Sequence, residues 1–462
     1  MKHNKIIATI LTATTLLATP GIASTTNDAV PFVSEITASA ALASNEVIVS
    51  GLVYALDYTN KTATLKGRYS NLTTITVPAT IKSNNVTYKV TSIYGSAFDE
   101  NVTIKQVDMS KATYLESIGY AAFRDSKGLT KVTLSPSTKT IGGYAFTGCT
   151  ALSTFNFNGN NKITKLDYNI FQNCTSLQSI SLPYSLTYIG KECFENTLLS
   201  SITIPGQVTI VAAEAFNNCP MLKNVTFQAS GDATAKLDLL MDSFANCKSL
   251  ETVRFDRRSI NAAIDVFEGS NENVSMVGYG ASDYTQSLCQ KLLKKWGITY
   301  NPKGTNAEKK AAIDKLAKAI HSYITYEGIA EEGCAATVLS TRKGTCGGYA
   351  RAFYNCALAM GMTQKEVLVG GDAHCHAWNY VKVNGKWYNY DCTNQFYYYT
   401  DSQYSKIMIS NWGSVSQHTN PSRWVVCADN QTGSSDETDY SNPRHYNYDK
   451  YLSDFNLGTR AK

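Results

Sequence analysis

Apolar residues recur along the first three hundred positions on a long, regular period. Phe98, Phe123, Phe146, Phe171, Phe194, Phe216, Phe244 and Phe267 follow one another at 22 to 28 residues, in settings such as "IGGYAFTGC" and "AAEAFNNC". In most units a leucine and two alternating apolar positions come next: Leu129/Val132/Leu134, Leu152/Phe155/Phe157, Leu177/Ile180/Leu182, Leu222/Val225/Phe227 and Leu250/Val253/Phe255. Each set predicts a short strand. A unit of this size cannot bury its apolar face alone, whereas stacked units join their faces into one core, so the pattern predicts a solenoid. Cys149, Cys174, Cys219 and Cys247 each lie three residues after a repeat phenylalanine, which predicts small buried thiols in a ladder. Residues 47–92 alternate as a β-rich cap over the first repeat. Tyr284, Leu288, Leu292 and Trp296 have the spacing of an amphipathic closing helix.

The pattern changes after "NPKGT" at 301–305, which reads as a linker. Thr305 and Glu308 form a capping-box pair, and Ile313, Leu316, Ala317, Ile320 and Ile324 make a helical stripe. A second helix opens in "KGTCGGYARAFYNCALAMG", residues 343–361, with Thr345 as N-cap, a stripe through Ala350, Phe353, Tyr354, Ala357 and Leu358, and Gly361 to end it. In "DAHCHAWNYVKVNGKWYNYDCTN", residues 372–394, Asn384-Gly385 between two alternating runs predicts a type I′ hairpin. Pairing Val383 with Lys386 makes opposed positions sum to 769, and it places 374, 376, 378, 389, 391 and 393 on one face.

Composition narrows the class. A net charge of +5 over 462 residues, with no basic patch, argues against nucleic acid. Lys2 and Lys5, the apolar run from Ile6 to Leu17 and the small residues Gly21 and Ala23 predict a secretion signal ending near Ala23; no stretch long enough to span a membrane follows. Twelve cysteines in so long a chain are not a disulfide scaffold. The expected organisation is a signal over 1–23, a linker over 24–46, a β cap over 47–92, repeats with their closing helix over 93–300, an α+β domain over 301–430 and a polar, poorly ordered tail over 431–462. A secreted or cell-surface location follows.

The chemistry centres on Cys346. At the first turn of a helix, free N–H groups and the dipole stabilise an anion, and the thiolate is the nucleophile. Gly344, Gly347 and Gly348 leave room for a substrate backbone, while Cys356, within the same helix, reads as a packed thiol. The hairpin makes His376 and Asp391 diagonal neighbours on one face, the base and orienting group that a reactive cysteine needs. His374 shares that face and is an alternative base. His374-x-His376 could also ligate a metal, but no second cluster accompanies it, and neither metal nor cofactor is expected. Cys375 and Cys392 are too far apart for an unstrained disulfide.

The repeats resemble the BspA-type leucine-rich repeats of bacterial surface proteins over roughly 47–300. The glycine-flanked cysteine, H-A-W-N and W-Y-x-x-D-x-T resemble the transglutaminase-like fold over roughly 305–430. The combined expectation is a multidomain protein, a leucine-rich-repeat β-solenoid followed by an α+β, papain-like domain. The second resemblance implies a triad of Cys346 as nucleophile, His376 as base and Asp391 as orienting carboxylate, and Tyr326 and His418 also stand at recurring positions. Asn394 departs from the tryptophan usual after D-x-T. The implied partner is a protein or peptide, with cell-wall peptide and host-matrix protein as candidate classes. Hydrolysis and acyl transfer both remain open, and so do a non-catalytic adhesin built on the same scaffold and a solenoid that serves only as a spacer.

Overall fold

The computed structural model describes residues 42–232, 234–328, 334–372, 376–412, 425–427, 445–457 and 459–461. The expected signal, His374, Cys375 and His418 lie outside the described residues.

Strands Glu46–Val49, Leu52–Asp57 and Thr62–Arg68 form an antiparallel ladder, and Thr62–Arg68 then pairs in parallel with Val86–Ile93. This sheet covers the first repeat. From there the chain winds through parallel two- to four-residue strands on two faces. The eight phenylalanines stack in one column inside, with neighbouring ring centroids 4.9–5.9 Å apart. Three residues after six of the eight rings a small donor serves the preceding turn; after Phe194, Thr197 Oγ1 donates instead to Phe194 O of its own turn (2.9 Å). Cys149 Sγ donates to Phe123 O (3.0 Å), Cys174 to Phe146 O (3.2 Å), Cys219 to Phe194 O (3.2 Å) and Cys247 to Phe216 O (3.3 Å). Ser126 and Ser270 do the same with hydroxyls. The cysteines are therefore buried hydrogen-bond donors as well as packing groups.

One expected strand is missing. Leu177, Ile180 and Leu182 carry the apolar pattern, yet 179–182 forms no ladder, and the outer face divides into two four-stranded sheets on either side. Side-chain period specifies which residues turn inward; it does not specify whether the main chain meets its neighbour.

Helix α1 (Ala281–Trp296) closes the stack. Tyr284 stacks on Phe255 at 5.1 Å and meets Phe267 edge-on at 5.9 Å. Asp283 and Ser287 accept from the N–H groups of Ser259 and Ala262, donors that a further repeat would otherwise satisfy. The opposite side of α1 packs on α3 (Ala335–Thr341) and α4 (Cys346–Met360). Thr337 donates to Val274 O (2.7 Å), Tyr284 OH meets Ser340 Oγ (2.8 Å), and Arg342 pairs with Glu268 (3.0 Å). One hydrophobic cluster consequently runs from Leu52 to Cys392. The segment 301–305 is a turn at the edge of this core rather than a spacer between separate bodies.

Helix α2 (Asn306–Tyr323) starts with the Thr305/Glu308 capping box. It packs on α4, which lies on a mixed sheet ordered Phe396–Tyr399, Lys386–Asp391, Ala377–Val383, Val367–Gly371, Val425–Cys427, His445–Asn447. The hairpin pairs Val383 with Lys386 and Asn379 with Tyr390, the register in which positions sum to 769, with Asn384 and Gly385 both at positive φ (52° and 76°). The other sheet face is covered by α5 (Asp401–Trp412) and α6 (Tyr448–Asp454).

That last helix corrects the expected tail. Residues 431–444 lie outside the described residues, but 445–457 and 459–461 are folded: Tyr448 stacks on Tyr380 (3.7 Å), Trp387 Nε1 donates to Leu457 O (3.0 Å), and buried Arg460 pairs with Asp401 (2.6 Å). Tyr448 and Leu452, four residues apart, are a helical signal overshadowed by the polar residues before them.

Candidate active site

Strand Lys343–Gly344 pairs in parallel with Thr325–Tyr326 and delivers the chain to α4. Thr345 occupies the N-cap position in extended conformation, but its side chain makes no capping bond, so the expectation of a side-chain cap fails. Cys346 follows as the first helical residue, partly exposed, with Gly347 and Gly348 buried behind it. Tyr326 lies opposite Gly344, largely exposed, its ring 6.4 Å from that of Tyr349.

Helix α4 runs in the same direction as strand Ala377–Val383: Asn379 Nδ2 donates to Ala350 O (2.9 Å), four residues beyond Cys346 and three beyond His376. The helix N-terminus and the start of the strand therefore arrive together. His376 is fixed there by a tight return. Asp372 N donates to His376 O and His376 N donates to Asp372 Oδ1, both at 3.1 Å. Only glycine fits at 371, because a Cβ there would lie 2.3 Å from His376 O.

The His376 ring uses Nε2 for Asp391 Oδ2 at 2.7 Å, and its side chain also hydrogen-bonds with Cys346. Asp391 is fully buried. Its Oδ1 accepts from the N–H groups of Thr393 (3.0 Å) and Asn394 (3.2 Å). Its Oδ2 accepts from Asn394 Nδ2 and Tyr404 OH, both at 2.8 Å. Burial alone would push the His376 pKa down, but the Asp391 charge, the hydrogen bond to it and the Cys346 contact outweigh burial and raise it from 6.5 to about 10. Burial would push Asp391 up, and the His376 charge with the Asn394 and Tyr404 donors instead holds it below the usual carboxylate value. At neutral pH the pair is an imidazolium and a carboxylate.

Cys346, His376 and Asp391, separated by up to 45 positions in sequence, thus meet at one place. His376, Trp378, Asn389 and Asp391 share the expected face: Trp378 Nε1 donates to Asn389 Oδ1 (2.9 Å), and the His376 and Trp378 rings are 5.7 Å apart. Tyr390 projects to the other face, stacking near Phe353. The tyrosines at 397–399 pack around the sheet, with Tyr398 stacked on Tyr388 at 4.0 Å. Sequence reasoning missed two residues. Tyr404 lies on another helix and leaves no local signal. Asn394 was legible in part, since Asp391 followed by donors at +2 and +3 is an Asx turn. Its amide also comes 3.3 Å from His376 Nε2, so this departure from the usual tryptophan touches the His–Asp pair itself. Among the described residues, no group of three or more His, Cys, Asp or Glu side chains could hold a metal ion.

Comparison with known proteins agrees with both halves of the fold. The family model for BspA type leucine rich repeat regions matches in six copies across 68–162 and 91–223, and that for the transglutaminase-like superfamily matches 298–392. The chain is a leucine-rich-repeat region followed by a C-terminal transglutaminase-like domain. Similar solved structures include a leucine-rich repeat protein from Bacteroides ovatus, at 22% identity and TM-score 0.38 over 51% of this chain and 53% of that one, so that the match spans about half of its length. A leucine rich cell surface protein from Faecalibacterium prausnitzii matches at 19% identity and TM-score 0.35 over 51% and 76%. A structure described as a TGase matches at 16% and TM-score 0.17 over 29% and 35%. No curated protein matches the chain.

Proposed function

We propose that this protein is an exported cysteine enzyme that cleaves or transfers an amide through a thioester on Cys346. Cys346 attacks the carbonyl, His376 gives its proton to the departing amine, and Asp391 keeps the imidazole aligned; water or an amine then resolves the thioester. The observation that carries this reading is the buried Asp391 carboxylate, fully supplied with donors and bonded to a His376 that also contacts Cys346. The substrate class is a protein or peptide, cell-wall peptide included, held by the repeats. Export is supported by the basic and apolar N-terminal sequence, and among the described residues no helix is long and apolar enough to cross a membrane.

Labelling with a thiol-directed electrophile tests the reading. Cys346 should react faster than free cysteine near pH 7, and His376→Ala should abolish the excess. Equal rates would remove the enzyme and leave an adhesin on the same scaffold. Mass spectrometry of peptide products with and without an added amine separates hydrolysis from transfer.

A further inference from the structure

The break in the outer face of the solenoid has the makings of a second site. Strand Thr154–Asn156 ends one four-stranded parallel sheet and Ser201–Ile204 begins the next, with one repeat between them. That repeat starts in register, since Ser200 N donates to Gln178 O (3.0 Å) as Ser153 N does to Thr130 O (3.1 Å) one turn of the same kind away. Beyond Gln178, however, the main-chain groups of 179–182 take no backbone hydrogen bond from either strand. A cavity of about 920 Å³ opens here. Phe155 and Phe157, with partly buried Ile180 and Leu182, form its apolar part, and Asn156 and Thr203 stand on its rim. Among the described residues no Asp, Glu, Lys or Arg lines it. Elsewhere on the same face Asp108, Lys131 and Arg254 occupy strand positions, so this neutrality is local.

We propose that this break binds an extended, uncharged peptide segment as an added strand. A row of unpaired main-chain N–H and C=O groups at strand spacing is matched most fully by another strand, which supplies the same row in reverse roles. Side chains of that strand alternate, so every second one enters the slot beside Phe155 and Phe157, and small apolar residues suit it. A charged segment would lose water with no counter-charge in the lining. The volume lies in the usual range for ligand sites. The inference does not depend on Cys346.

The probe is an acetylated, amidated hexapeptide of alternating threonine and valine, titrated into the full chain. A copy N-methylated at every second amide and a neutral hexasaccharide serve as comparisons. Saturable binding of the hexapeptide is expected, weakened about tenfold or more by N-methylation, since one lost hydrogen bond is worth roughly that factor. The amides of Phe155 and of 179–182 should gain protection from hydrogen exchange. Asn156→Arg with Thr203→Arg, both on the rim, should remove binding while circular dichroism stays unchanged. No saturation at millimolar peptide, equal binding of the N-methylated copy, retention by the arginine variant, or binding of the saccharide in place of the peptide would each overturn the proposal.

Discussion

Asp391 has no exposed surface, and its two oxygens receive five donors from four residues. Asp391→Asn should keep the hairpin and the neighbouring backbone bonds, yet it puts an amide where His376 needs an acceptor and favours the wrong ring tautomer. Turnover should fall on the order of 10⁴-fold in a protein that still folds, with melting at pH 7 lowered only by the loss of the charge pair; a protein unfolded at ordinary temperature would mark Asp391 as structural only. The pH dependence follows from the same pair. His376 binds its proton more tightly folded than unfolded, so its stabilisation is complete below about 6.5 and is lost as pH rises toward about 10. Asp391 is shifted the other way, and its contribution disappears as pH falls through the acid range. The melting temperature should drop between pH 7 and pH 10, and by less in His376→Gln. An equal drop in both would sever stability from this pair.

At the scale of elements, the phenylalanine column and its donor ladder support the solenoid. Phe194 lies between Phe171 (5.2 Å) and Phe216 (5.0 Å), so Phe194→Ala opens a hole in a closely packed line. A loss of about 3–5 kcal/mol in urea unfolding is expected. Cys174→Ser should be far milder than Cys174→Ala, because a hydroxyl can give the Phe146 carbonyl what Ser126 and Ser270 give its counterparts. If serine and alanine cost the same, the thiols only fill space. The repeats were readable because phenylalanine and cysteine return in phase, and the hairpin was readable because Asn384-Gly385 dictates both turn and register. The interrupted strand was not: Leu177, Ile180 and Leu182 keep the inward pattern while the main chain leaves the ladder. Nor was Tyr404, which reaches Asp391 from a helix that only the folded sheet brings near.

Across the whole molecule, α1 belongs to both halves, with Tyr284 in the aromatic column and Cys289 buried against α4. The two regions should therefore unfold together. All five tryptophans lie at or beyond Trp296, so their fluorescence reports the C-terminal region, whereas far-ultraviolet dichroism also follows the solenoid strands. Coincident midpoints are expected. Two separated transitions would show that the shared helix does not couple them.

Most interfaces between repeats are alike: ring on ring, then thiol or hydroxyl on carbonyl, whatever the loop lengths between. A gene segment copied within this stretch would encode a molecule that still closes, since α1 meets only the final turn and the β cap only the first. Copy number can thus drift between lineages and change how far the solenoid extends, by about one ring spacing each time, while the cysteine and its partners inherit an unaltered setting.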